Sequence, residues 1–135
     1  MQKLTPEELA ELESLETEEK ERLDEEATAA KRQHLEALRM SKRLASKHGK
    51  PGHDFVVLET KVGNIAIRRP VDVEIDNLND DSERDDLEKL ATSIVIEPTV
   101  PELQKHMADQ AGLATAIFRH SIKLLKVLRE EEAKK

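Results

Sequence analysis

His48-Gly49-Lys50-Pro51-Gly52-His53-Asp54, then Phe55-Val56-Val57-Leu58-Glu59-Thr60 and, past Lys61-Val62-Gly63-Asn64, Ile65-Ala66-Ile67-Arg68-Arg69-Pro70, is the stretch on which the fold turns. Gly49 suits a left-handed helix cap, and Pro51 cannot continue a helix, so whatever precedes this point ends here. The β-branched runs that follow predict two short strands around a Gly63-Asn64 turn, a small hairpin over 54–69. Arg68-Arg69-Pro70 closes it. Beyond the corner Val71, Val73 and Ile75 alternate with Asp72 and Glu74, the spacing of a third short strand.

On the N-terminal side of this break, Thr5-Pro6-Glu7-Glu8 is a helix start: Thr5 as N-cap, Pro6 in the first turn, Glu8 completing a capping box. No Gly or Pro follows until Gly49, and Glu, Ala, Leu, Lys and Arg predominate, which predicts one long helix to about residue 48. Its charge is polarised. Over residues 7–26 the acids, mainly Glu, are opposed only by Lys20 and Arg22, whereas Lys31, Arg32, Arg39, Lys42, Arg43, Lys47 and Lys50 face only Glu36 over 31–50. This order complements the helix dipole and makes two such helices complementary when antiparallel. Leu9, Leu12, Leu23, Ala27, Ala30, Leu35 and Leu38 give a heptad broken at Glu16 and Glu19, a weakly specified coiled coil.

On the C-terminal side, an acidic segment over 76–86 leads to a helix carrying Leu87, Leu90, Ala91 and Ile94, capped by Asp81 or Ser82, with Ile94-Val95-Ile96 either prolonging it or running extended before Pro98. Pro101 opens a further short helix. Gly112 separates it from a helix over about 113–132 whose apolar stripe fits a core face. The expected architecture is α+β, mainly α: residues 1–48 a long charged helix serving as coiled-coil or client-binding arm, 49–53 a linker, and 54–135 a small α+β domain with a frayed tail. Its expected core is Leu87, Leu90, Ile94, Leu103, Ile117, Phe118, Leu124 and Leu125.

Charged residues make up 38% of the 135-residue chain, which leaves material for only a small core. A net charge of -7 opposes phosphate binding as the main task, so nucleic acid is an unfavoured partner. Phe55 and Phe118 are the only aromatics besides histidine, too few for base or sugar stacking. Without cysteine there is no disulfide or thiolate site. Asp76 to Glu83 fails as a calcium loop, since Leu78, Asp81 and Leu87 fall where a ligand, a glycine and a bidentate acid belong. The five histidines lack paired metal spacing, and neither a nucleophile elbow nor a phosphate loop is present. The reading is a non-enzymatic, cytoplasmic protein-binding chain without cofactor or membrane span. Candidate contacts are Leu35, Leu38, Arg39, Lys42, Arg43, Leu124 and Leu128.

The order of features over roughly 54–128 resembles tail assembly chaperones of long-tailed bacteriophages. The carrying residues are Phe55 to Thr60 with Gly63 and Ile65 to Pro70, then Leu90-Ala91-Thr92-Ser93-Ile94-Val95-Ile96-Glu97-Pro98, and Leu103 with Gly112-Leu113. The chain departs from the family in lacking an aromatic after the Arg-Pro corner and in carrying Glu97 where Tyr is common. The resemblance implies a non-enzymatic chaperone that coats a helical tape measure protein, helps recruit tail tube subunits and leaves before the tail matures; a homo-oligomer is expected separately. A structural scaffold component of a phage-like particle, and a nucleic-acid-binding regulator using residues 39–50, are the competing readings.

Overall fold

The computed structural model describes residues 3–133. Its element order is α1 (Pro6–His48), β1 (Phe55–Thr60), β2 (Gly63–Arg68), α2 (Asp72–Ile75), α3 (Arg84–Ile94), β3 (Val95–Glu97), α4 (Val100–Asp109) and α5 (Leu113–Ala133). The fold is α+β and mainly α, with a long N-terminal helix, an antiparallel sheet and a C-terminal helical region, as the sequence leads one to expect.

Helix α1 begins with the expected reciprocal cap: the Glu8 backbone N–H donates to Thr5 Oγ1 at 3.1 Å, and the Thr5 N–H donates to Glu8 Oε1 at 3.1 Å. It is a single helix, yet the chain divides into two compact units at Leu35/Glu36, inside it. In the first unit every described residue up to Arg32 is exposed. In the second, Ala37 and Leu44 are buried. Residues 36–48 therefore belong to the folded body, and the boundary lies within the helix rather than at Gly49.

The sheet has the order β1-β2-β3, both pairs antiparallel. Side chains alternate across a strand, so each face of the sheet carries its own core. Leu58, Ile65 and Ile67 face Leu87, Leu90, Ile94, Leu103, Ile117 and Phe118 of α3, α4 and α5. Phe55 and Ala66 face the other way and pack with Leu44, Met40 and Ala45 at the end of α1. The His48 ring stands edge-on to Phe55, with centroids 6.3 Å apart. All eight residues expected in the core are buried, Leu125 among them.

Three local expectations are corrected. The hairpin turns on Lys61-Val62, because Thr60 pairs with Gly63 and the Thr60 hydroxyl holds the turn, donating to Gly63 O at 2.7 Å and accepting from the Val62 N–H at 3.2 Å. Gly63 takes the positive φ of 120° that this turn needs. Val71, Val73 and Ile75 do not form a strand. The Glu74 carboxylate accepts the Val71 N–H at 2.9 Å and both Arg68 nitrogens at 2.9 and 2.8 Å, folding 72–75 into one helical turn with Val71 and Val73 exposed. Neither Asp81 nor Ser82 caps α3, whose N-cap is Glu83; the Ser82 hydroxyl instead accepts the Asn79 N–H at 2.9 Å. Of the two alternatives for Ile94-Val95-Ile96, the helix ends at Ile94 and the rest is extended as β3, paired to β2.

Residues 49–53, between α1 and β1, form a hydrogen-bonded corner. Asp54 accepts the Lys50 N–H at 2.7 Å and the His53 ring at 2.9 Å, Gly52 N–H donates to Phe55 O at 2.7 Å, and Arg69 reaches Asp54 at 3.3 Å. Gly49 has φ 101°, and a β-carbon there would collide with the Asp54 carboxylate. The Lys50 hydrogen bond, then the His53 one, hold the Asp54 carboxyl below its usual range despite desolvation.

Candidate protein-interaction surface

The candidate contacts divide into two groups with different fates. On α1, Leu35 and Leu38 are 46% and 54% exposed, although Ala37 between them is buried. The reason is helical geometry: at about 100° per residue, Leu38 and Leu35 stand roughly 100° and 160° around the helix from Ala37. Arg39 and Lys42 flank them and are exposed. Arg43 is already committed, its guanidinium donating to both Glu97 oxygens at 2.7 and 2.8 Å. That fork between α1 and β3 lowers the Glu97 carboxyl below its ordinary range, through the Arg43 hydrogen bonds first, against desolvation.

On α5, Leu124 is 4% exposed and belongs to the core, so it is closed to a partner. Leu128, one turn on, is half-buried. Both lie on the stripe that turns toward the body of the protein, and a stripe read from sequence does not say how far along the helix the body reaches. The candidate surface therefore narrows to Leu35, Leu38, Arg39 and Lys42, with Leu128 at the margin of α5.

Further along α1, Leu9, Leu12, Leu15 and Leu23 are 49%, 43%, 53% and 51% exposed. Singly exposed leucines are ordinary on a protein surface. A helix of 43 residues that buries only Ala37 and Leu44 in its own chain is different, because isolated helices are held in water mainly by what they pack against. Arg22 bridges Glu19 and Glu26, the latter at 2.9 Å, and such exposed i,i+3 and i,i+4 pairs supply only about a few tenths of a kcal/mol each.

The structure also holds a concavity that no sequence motif points to. A cleft of about 590 Å³ opens between edge strand β1 and the first turns of α5, walled by Val56, Leu58, Val62, Leu113, Ile117 and His120. Its walls come from segments more than 50 residues apart, and no local pattern announces that a strand edge will lie beside that helix. Burial, then Lys123, pushes the His120 imidazole below its ordinary value, which favours the neutral ring. Among the described residues no group of three His, Cys, Asp or Glu is placed to hold a metal ion, and no helix is long and apolar enough to cross a membrane.

Comparison with protein-family models, curated proteins and solved structures finds no match. The surface itself is therefore the guide to function. The acidic loop between α2 and α3 is tied to α5 by Asp80 and Arg119 at 3.3 Å, and Asp72 at the start of α2 meets Arg129 at 3.5 Å. Asp80, an acid of the run that fails as a calcium loop, is thus one half of an exposed ion pair.

Proposed function

We propose that this chain is a non-enzymatic, protein-binding assembly factor of the phage tail chaperone type, whose client is a helical protein such as a tape measure protein. The observation that carries the reading is α1, which holds Leu35 and Leu38 half-exposed beside Arg39 and Lys42. A client helix would lay its apolar stripe over the leucines while the charges at the rim steer its approach. The resemblance over 54–128 supports the choice of client. Recruitment of tail tube subunits belongs to the same proposal, and so does action in the host cytoplasm.

The test is binding kinetics with a purified tape measure fragment. Leu35→Asp with Leu38→Asp should abolish stable binding by raising the dissociation rate. Arg39→Glu with Lys42→Glu should chiefly slow association, and added salt should do the same to the unmodified protein. Arg43 is excluded from the charge reversal because its loss would break the Glu97 fork. Dissociation unchanged by the leucine substitutions would overturn the reading.

A further inference from the structure

The sheet has two edges, and they are not alike. β3 is three residues long, and its last residue, Glu97, is held by Arg43 of α1. β1 is six residues long and carries no proline or lysine, two of the usual devices that keep an edge from pairing. Its backbone groups alternate in direction. Asp54 O accepts the Arg69 N–H at 2.9 Å on the β2 side, whereas Phe55 O turns outward and accepts the Gly52 N–H at 2.7 Å. Continued along the register, this alternation gives Val56, Leu58 and Thr60 to β2 and turns the N–H and C=O of Val57 to the outer edge. Among the described residues neither of those two groups has a backbone partner. The corner pairs with the edge at Phe55, through a parallel bridge from Pro51, and goes no further.

Helix α5 turns this edge into a groove. His53, just before β1, meets Glu131 near the end of α5 at 2.7 Å, while Val62, just after β1, shares the cleft with Leu113 at the helix start. The helix therefore runs antiparallel beside the strand, about 27 Å over 113–131 against about 30 Å over 53–62. An occupant has to satisfy a strand's backbone and cover an apolar wall at once. A helix, whose backbone bonds are internal, and a small apolar molecule, which has none to give, both fail the first demand. By alternation Glu59 shares the sheet face of Phe55 and Val57, so the charge at the hairpin end of the cleft is that of Lys61. We infer that the cleft between β1 and α5 takes an extended segment of another polypeptide as a further strand, apolar at alternate positions and acidic beside Lys61. Two hydrogen bonds to Val57 position the segment, and its apolar side chains lie over Val56, Leu58, Leu113 and Ile117. The inference does not rest on the helical client. A helix bound at Leu35 and Leu38 uses none of these residues, and Leu35→Asp with Leu38→Asp should leave binding at the cleft unchanged.

The probe is a dye-labelled, end-blocked peptide, Asp-Val-Thr-Val-Thr-Val-Asp, titrated against the full chain by fluorescence anisotropy. It should bind saturably, and amide exchange at Val57 should slow by about tenfold or more at saturation. Methylating its backbone nitrogens one at a time should abolish binding at every second position and spare the others, the signature of alternate ladder bonds. Val57→Pro should abolish binding while keeping every bond from β1 to β2, because the proline lacks only the outward N–H. Ala116→Phe should do so by filling the cleft from the helix side. Lys61→Glu should weaken this peptide by about threefold and favour one with lysine at both ends. Urea midpoints near that of the unmodified protein establish that the variants fold. Absence of saturable binding, binding insensitive to methylation, or unchanged exchange at Val57 would each overturn the proposal. So would a dimer of the unmodified chain that Val57→Pro dissolves, since the edge would then belong to a second copy.

Discussion

Phe55 is fully buried and is the largest side chain in the smaller of the two apolar clusters, where Leu44 and Ala66 are its buried companions. A small cluster has few neighbours able to close a void, so Phe55→Ala should cost about 3–5 kcal/mol, read as a fall in the urea midpoint. Phe118→Ala, in the larger cluster on the opposite sheet face, should fall in the same range. Acid titration probes other residues. Glu74 is lowered by Arg68 first, Glu97 by Arg43 and Asp54 by Lys50, so the stability they contribute is full above the unfolded carboxylate pKa of about 4 and disappears as pH falls through their lower folded values. His120 acts earlier. Its lowered value means that the unfolded chain takes up that proton first, so stability should begin to decline below about pH 6.5. Urea midpoints from neutral to strongly acidic pH should show both steps, and His120→Gln should remove only the upper one.

At the scale of elements, the end of α1 is the part most easily misjudged. Removing residues 1–35 should leave a folded protein with an unchanged core, because the compact second unit starts at Glu36. Removing residues 1–47 should expose Phe55 and Val57 by taking away Met40 and Leu44, and the product should melt far lower or fail to fold. Circular dichroism of the two truncations decides this. Sequence made the helices legible wherever punctuation was local: the Thr5 box, Pro101, and Gly112 ahead of α5 were all readable. The hairpin was readable from β-branched runs, though its turn falls on Lys61-Val62, where the Thr60 hydroxyl holds the loop, because Gly63-Asn64 has the less usual order for a type I′ turn. Val71 to Ile75 misled because alternation is only a pattern of side chains, and the Arg68–Glu74 fork decides the backbone there. The burial of Ala37 and Leu44 was illegible for a related reason: Leu35 and Leu38 looked equally apolar, and only the sheet determines which side of α1 is covered. Leu124 was misplaced as a contact by the same uncertainty on α5, and the cleft beside β1 depends wholly on tertiary packing.

For the whole molecule, two apolar clusters on opposite faces of one small sheet mean that the body melts as a unit only while both are intact. Its opposing layers share β2, where Ile65 and Ile67 face one cluster and Ala66 the other. A cavity cut into either should therefore destabilise the whole second unit, and amide exchange in β2 should speed up in Phe55→Ala and Phe118→Ala alike. Helix α1 has a different thermal character along its length. One ladder of backbone hydrogen bonds runs from Pro6 to His48, but only its last third is tied to a core whose loss is cooperative. Upstream of Leu35 the ladder of a lone chain is free to melt turn by turn from its beginning, a helix–coil transition whose heat is spread over a wide temperature range instead of gathered in a peak. Heating should thus give a broad, sloping decline in helical ellipticity ahead of one sharp calorimetric peak. The slope should vanish in the chain lacking residues 1–35 while the peak remains, so that calorimetry and dichroism would report different fractions unfolded for the same sample.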